Sequence, residues 1–185
     1  MGAMPSLRSI DAGGNRLTNI DAIAGATNIE SLYLWNNRIA TLPSADILVT
    51  LTELSTLRVD SNRLTDVGIA SVSVLGNLER FGADWNELLT DVSPLGGLLR
   101  LEWLSLAGTD ITSLEFARSL TSLESLFVHY TEVTDLTPLL DITLSLSDVW
   151  IGSLDLSCDT TGQATVIDLL QADNVTVHDI PSGCD

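Results

Sequence analysis

Residues 29–42 read IESLYLWNNRIATL, with Ile29, Leu32, Leu34, Asn37, Ile39 and Leu42 falling at the spacing LxxLxLxxNxLxxI. The stretch before it repeats that spacing with conservative exchanges, through Leu7, Ile10, Ala12, Asn15, Leu17 and Ile20. The stretch after it does the same through Leu54, Leu57, Val59, Asn62, Leu64 and Val67. A fourth copy uses Leu78, Phe81, Ala83, Asn86, then Leu88 or Leu89, and Val92, with one extra residue after the asparagine. The fifth uses Leu101, Leu104, Leu106, Thr109, Ile111 and Leu114, and the sixth Leu123, Leu126, Val128, Thr131, Val133 and Leu136. A seventh opens with Leu146, Val149 and Ile151 and then degrades. Successive asparagine-slot positions 15, 37, 62, 86, 109 and 131 are separated by 22, 25, 24, 23 and 22 residues.

That period is the one of leucine-rich repeats. Each unit is a short strand with an irregular return, and one unit alone cannot bury its own leucines. Stacking supplies the core: strands of successive coils pair in parallel, and the apolar slots merge into one column. The predicted fold is therefore α/β, a right-handed solenoid with a concave parallel β-sheet and an irregular or short-helical convex side. An asparagine amide inside each turn can bond backbone of its own and the adjacent coil, forming a ladder. A threonine hydroxyl carries fewer donors and acceptors, so Thr109 and Thr131 predict a weaker ladder in coils five and six.

With the tails Asp91-Val92-Ser93-Pro94-Leu95 and Asp135-Leu136-Thr137-Pro138-Leu139, the repeat resembles that of the bacterial internalin-type leucine-rich-repeat proteins. The resemblance covers roughly residues 7–154 and implies a module that binds another protein through its concave sheet. It departs from the family in lacking an N-terminal cap, in its longer second and third units, and in the ladder threonines. Residues 1–6 read as vector-derived or linker residues, residues 7–154 as about seven coils, and residues 155–185 as a C-terminal cap. In that cap Thr161 to Ala172 reads as a helix and Val175-Thr176-Val177 as a closing strand. The chain reads as a fragment, or as one whose uncapped first coil makes an end-on contact with another copy. Cys158 and Cys184, the only cysteines, are expected to form a disulfide worth roughly 3–4 kcal/mol on the loop-entropy account; two buried free thiols are the alternative. A disulfide would mark an exported protein.

The net charge is −17, all basic residues are arginines, and none follows Arg118. Such a surface repels phosphate backbones, which speaks against nucleic acid as a partner. Colloidal repulsion accounts for the acidity, and attraction of a basic partner is the functional alternative. No stretch approaches the roughly 18 uninterrupted apolar residues of a membrane span. Asp155 and Asp159 lie in no loop with calcium spacing, and two cysteines far from two histidines offer no zinc-ligand set, so neither metal nor cofactor is expected. The residue after the ladder slot runs Arg16, Arg38, Arg63, then Glu87, Asp110, Glu132. Arg63 and Glu87 would be close enough to pair, and the row reads as a solvated edge.

Function is read by subtraction. Period-two alternation sends the third, fifth and seventh residues of LxxLxLxx to the concave face. The third slot gives Ser9, Ser31, Thr56, Arg80, Trp103, Ser125 and Asp148; the fifth Asp11, Tyr33, Arg58, Gly82, Ser105, Phe127 and Trp150; the seventh Gly13, Trp35, Asp60, Asp84, Ala107, His129 and Gly152. Trp85 and Tyr130 fall in the eighth slot, at a rim. Only Phe81 and Phe116 among the aromatic residues lie outside these slots. Strand preference explains some of that bias, but aromatics gathered on one face suit an interface. The candidate ligand-binding residues are Tyr33, Trp35, Arg58, Asp60, Arg80, Asp84, Trp103, Phe127, His129 and Trp150. They describe a low charged saddle between aromatic shoulders, with Asp60 and Asp84 either receiving a basic group of the ligand or neutralised by Arg58 and Arg80.

Enzyme readings find little support. His129 has Ser125 and Asp148 in adjoining coils, but no motif activates a serine, and His178 lies apart near the closing strand. The expectation is a non-catalytic module of an exported bacterial protein that binds a protein ligand. Carbohydrate recognition by the same aromatic face is one alternative, and a structural spacer within a larger surface protein is another. Ring geometry separates the first two: coplanar, evenly spaced rings suit a glycan, and rings of differing tilt suit a polypeptide.

Overall fold

The computed structural model describes residues 6–156, 162–182 and 184. Eight three-residue strands occur among them: β1 (Ser9–Asp11), β2 (Ser31–Tyr33), β3 (Thr56–Arg58), β4 (Arg80–Gly82), β5 (Trp103–Ser105), β6 (Ser125–Phe127), β7 (Asp148–Trp150) and β8 (Thr176–His178). They form one sheet in sequential order, every pair parallel. Each strand's middle residue points inward: Leu32, Leu57, Phe81, Leu104, Leu126 and Val149 are buried. The returns on the other side are short 3-10 segments, at Asp21–Ile23, Ala70–Val74, Ser93–Gly97, Glu115–Ser119 and Thr137–Ile142, plus the short helices α1 (Ala45–Leu48) and α2 (Asp66–Ile69). The core lies between the sheet and these returns. The two proline tails have a common mechanism. Asp91 Oδ1 accepts from Ser93 N at 2.8 Å and Asp135 Oδ1 from Thr137 N at 2.9 Å, turning the chain so that Pro94 and Pro138 enter the first helical turn, where a missing N–H costs nothing.

The asparagine ladder is built as the repeat predicts. Asn86, fully buried, accepts from Leu64 N at 2.9 Å and donates to Ala83 O at 2.8 Å and to Val59 O, one coil back, at 3.1 Å. Asn62 and Asn37 make the same set of contacts. Thr109 and Thr131 reach only a carbonyl of their own coil, Leu106 O at 2.6 Å and Val128 O at 2.8 Å. The rungs of coils five and six therefore lack the cross-coil bond.

Several details differ from the sequence reading. Val67 is not the inward residue of coil three; it is 85% exposed, and Ile69, at 0%, fills that place because α2 carries the chain two residues further. In coil four the inward residue is Leu89, with Leu88 outside. Arg63 and Glu87 form no ion pair among the described residues. Beyond the seventh coil, α3 spans Gln163–Ala172 and buries Val166, Ile167 and Leu170, leaving Leu169 half exposed. Gln163 ties it to coil six, its Oε1 accepting from Leu136 N at 2.7 Å. Cys184 packs into the core; Cys158 and Thr161 lie outside the described residues, and so does the expected Cys158–Cys184 bond.

Candidate functional site

Strand register fixes which side chains share the open sheet face. Ser31, Thr56, Arg80, Trp103, Ser125 and Asp148 form one column, and Tyr33, Arg58, Gly82, Ser105, Phe127 and Trp150 the next. β8 extends both columns, placing Thr176 beside Asp148 and His178 beside Trp150. Adjacent coils lie about 4.8 Å apart, so flat rings in neighbouring coils must touch.

They do so over four coils. Trp103 and Phe127 lie with ring centroids 5.4 Å apart and planes tilted by 47°. Phe127 stacks on Trp150 at 5.7 Å and 13°, and Trp150 on His178 at 3.9 Å and 9°. At the other end the Arg58 guanidinium sits over the Trp103 ring, 4.8 Å from its centroid. Arg58 and Trp103 belong to coils three and five, and the contact crosses β4 at Gly82. A Cβ there would lie 2.3 Å from Arg58 Nε and 2.8 Å from Asp60 Oδ1. The absence of a side chain at Gly82 thus lets the arginine lie across the sheet. The far end is held by His178 Nε2 and Asp148 Oδ1, 2.9 Å apart.

This arrangement corrects the open saddle. Arg58 bridges it, and its Nε donates to Asp60 Oδ2 at 2.8 Å. Asp60 is 7% exposed, and its other oxygen accepts from Asp84 N at 3.3 Å. Asp84 repeats the pattern one coil on, its Oδ1 accepting from Ser105 Oγ at 2.5 Å and from Ala107 N at 2.9 Å. Asp60 is therefore occupied within the fold by Arg58 and the Asp84 amide, whereas Asp84 uses one oxygen for both of its bonds. Burial raises the Asp84 carboxyl above the ordinary aspartate range; the Ser105 hydrogen bond opposes that shift, and the charge of Asp60 reinforces it. Arg80 is exposed and makes no ion pair among the described residues. It is the cation that this face offers to solvent.

The remaining candidates stand apart from the ladder. Trp35 turns back over coil one, where a Cβ on Gly13 would lie 2.1 Å from its Cε2, and it is 44% exposed. Tyr33 is half-buried in the column between Asp11 and Arg58. His129 meets Tyr130 edge-on at 5.4 Å, and its Nδ1 is buried without a hydrogen-bond partner. Asp148, considered as a neighbour of His129, bonds His178 instead. His178 is the residue that sequence reasoning missed. The signal was available: continuing the strand of Val175-Thr176-Val177 by one residue puts His178 in the fifth slot, beneath Trp150. Among the described residues no group of three His, Cys, Asp or Glu side chains is placed to hold a metal ion, and no helix is long and apolar enough to cross a membrane.

The family profile described as Leucine Rich repeats (2 copies) matches residues 5–44. Internalin C2 from Listeria monocytogenes superposes with a TM-score of 0.75 at 25% identity, over 91% of this chain and 69% of that one. The chain has a leucine-rich-repeat solenoid fold, similar to that of the internalins. A leucine-rich-repeat protein from Leptospira interrogans superposes with a TM-score of 0.79 at 22% identity, over 94% of this chain and 43% of that one. Internalin F from Listeria monocytogenes gives 0.56 at 21%, over 93% and 60%. This chain thus spans less than two thirds of the last two structures. No curated protein sequence matches it. A leucine-rich-repeat fold suggests a protein-interaction module, and the stacked frame is what turns a row of strands into a platform for side chains.

Proposed function

We propose that this internalin-like solenoid is a non-catalytic module that binds a protein ligand on its concave sheet, chiefly through Trp103, Phe127, Trp150 and His178, with Arg80 beside them. The observation that carries the reading is the continuous ring ladder from Arg58 to His178. Its rings hold one another in place, so little side-chain freedom remains to be lost on binding. Large rigid aromatics of that kind dominate binding energy in protein interfaces. Exported location, as a surface or secreted protein, is part of the same proposal.

Ring tilt does not separate the two ligand classes, since Trp103 and Phe127 are tilted by 47° while Phe127–Trp150 and Trp150–His178 are near-parallel at 13° and 9°; it is the occupied ring faces that favour a polypeptide over a glycan. Phe127 has Trp103 on one side and Trp150 on the other, and Trp150 has Phe127 and His178. Ring faces spent on one another are not free to cover a sugar ring. What they turn outward is their edges, which carry the positive part of the ring quadrupole and suit backbone carbonyls. The test is capture of ligand from the native environment by the whole chain and by the Trp103→Ala/Trp150→Ala variant, with a glycan array in parallel. Each truncation of a central aromatic anchor is expected to cost at least about 2 kcal/mol of binding, enough to abolish capture by the double variant while it still unfolds cooperatively. Undiminished capture by a folded double variant would sink the assignment, and wild-type binding confined to the array would move it to carbohydrate.

A further inference from the structure

The eighth slot is the point where every strand turns into its loop, and in each coil it takes the left-handed conformation: Gly14 (φ 68°), Asn36 (53°), Ser61 (52°), Trp85 (55°), Gly108 (65°), Tyr130 (58°) and Ser153 (63°). The turn is kept because the N–H of this residue donates across to the next coil, as Asn36 to Asp60 O, Ser61 to Asp84 O, Trp85 to Ala107 O and Tyr130 to Gly152 O. Glycine, asparagine and serine suit such a position; tryptophan and tyrosine do not. Yet Trp85 and Tyr130 occupy it, 51% and 57% exposed, and their rings meet at 5.9 Å across the intervening coil. They meet because that coil has glycine: a Cβ on Gly108 would lie 2.3 Å from Trp85 Cε3.

Two residues further on, past the inward ladder position, each coil presents another outward side chain. In coils one to three it is Arg16, Arg38 and Arg63; in coils four to seven it is Glu87, Asp110, Glu132 and Asp155, all exposed. The two rows flank the same buried ladder and so run side by side along one edge. They change character at the same coil: the aromatic rings appear where the charge turns acidic.

We infer that the edge formed by Trp85 and Tyr130 with Glu87, Asp110, Glu132 and Asp155 is a second interaction surface, separate from the sheet face, that takes an arginine- or lysine-rich polypeptide segment. The occupant follows from charge complementarity. A cation laid on the Trp85 and Tyr130 rings is attracted by their π-faces, and the acidic row provides carboxylates at a coil-to-coil repeat for the cations that follow it along a chain. A second copy of this chain is a poor occupant, since two molecules of net charge −17 repel.

The probe is a fluorescein-labelled deca-arginine peptide titrated with the whole chain at physiological salt, read by anisotropy. Replacing Trp85 and Tyr130 by serine, which the left-handed turn of coils three and seven already accommodates, should weaken binding roughly tenfold. Replacing Glu87, Asp110 and Glu132 by their amides should weaken it at least as much. Trp103→Ala, on the sheet face, should leave it unchanged, which separates this edge from the proposed concave site. The control for general acidity is Asp168→Asn on α3 with Asp173→Asn just past its end, with the same charge removed as two of the three edge amides. If that control weakens binding as much as the edge variants do, or if the serine variant binds as the wild type, the assignment is overturned. Peptide binding lost only with Trp103→Ala overturns it as well.

Discussion

Replacing Asn86 by alanine tests whether the ladder amide, rather than the leucine column alone, holds neighbouring coils together. The side chain is completely buried and its three shortest hydrogen bonds are to backbone groups: the Leu64 N–H at 2.9 Å, the Ala83 carbonyl at 2.8 Å and the Val59 carbonyl at 3.1 Å. Two of these belong to the preceding coil. Alanine leaves each group without a partner in a space too tight and apolar to hydrate it readily, at about 1–3 kcal/mol per buried group. A loss of about 3–9 kcal/mol is therefore expected, a large fraction of a domain's stability. Thr109→Ala is the internal control. Its hydroxyl makes one hydrogen bond, to Leu106 O of its own coil, so a loss of about 1 kcal/mol is expected. Urea unfolding followed by far-UV circular dichroism gives both values; the midpoint should fall several times further for Asn86→Ala with the slope unchanged. Equal losses in the two variants would refute the claim that cross-coil bonding sets the strength of a rung.

Four further outcomes follow from the same geometry. Gly82→Ala should cost about 1–3 kcal/mol, because the added methyl meets Arg58 Nε and the buried Asp60 carboxylate that it bonds, and it should lift Arg58 off Trp103 and shift the Trp103 indole resonance; an unshifted resonance would contradict the bridge. The raised Asp84 carboxyl, held up first by burial, gives stability that is present below the ordinary value of 3.8 and is lost as pH rises through its folded value, so Asp84→Asn should flatten that part of the pH–stability curve. Asp66 slopes the other way: hydrogen bonds from the Asp91 and Thr90 amides and the Thr90 hydroxyl hold it below 3.8, its contribution is present above that value and lost as pH falls, and Asp66→Asn should remove the dependence. Leu126→Ala, in the middle of β6 and fully buried, should cost about 2–5 kcal/mol in the same urea assay.

The open-face columns were legible because a strand's period of two leaves no choice about which side chains share a face. Leu32, Leu57, Phe81 and Leu104 point inward, and Arg58, Trp103, Phe127 and Trp150 therefore point out. Where the return path was irregular, the reading failed: Val67 fits the spacing, but α2 carries the chain on and Ile69 is the residue that packs. His178 was passed over because β8 follows a helix rather than a repeat, and no repeat spacing announces its register.

The sequence by itself determined the stack, since leucines and asparagines recurring at one spacing have only one another to bury against and bond to. It also determined which residues the stack would leave over. Tertiary structure alone decided what those residues do with each other. That Arg58 reaches Trp103 over Gly82, that Asp60 accepts from the Asp84 amide and Asp84 from Ser105 and Ala107, and that Trp85 meets Tyr130 above Gly108 are contacts between residues more than 20 positions apart. Pairings at that separation depend on side-chain direction and on the room left by a missing Cβ, and a linear pattern carries neither.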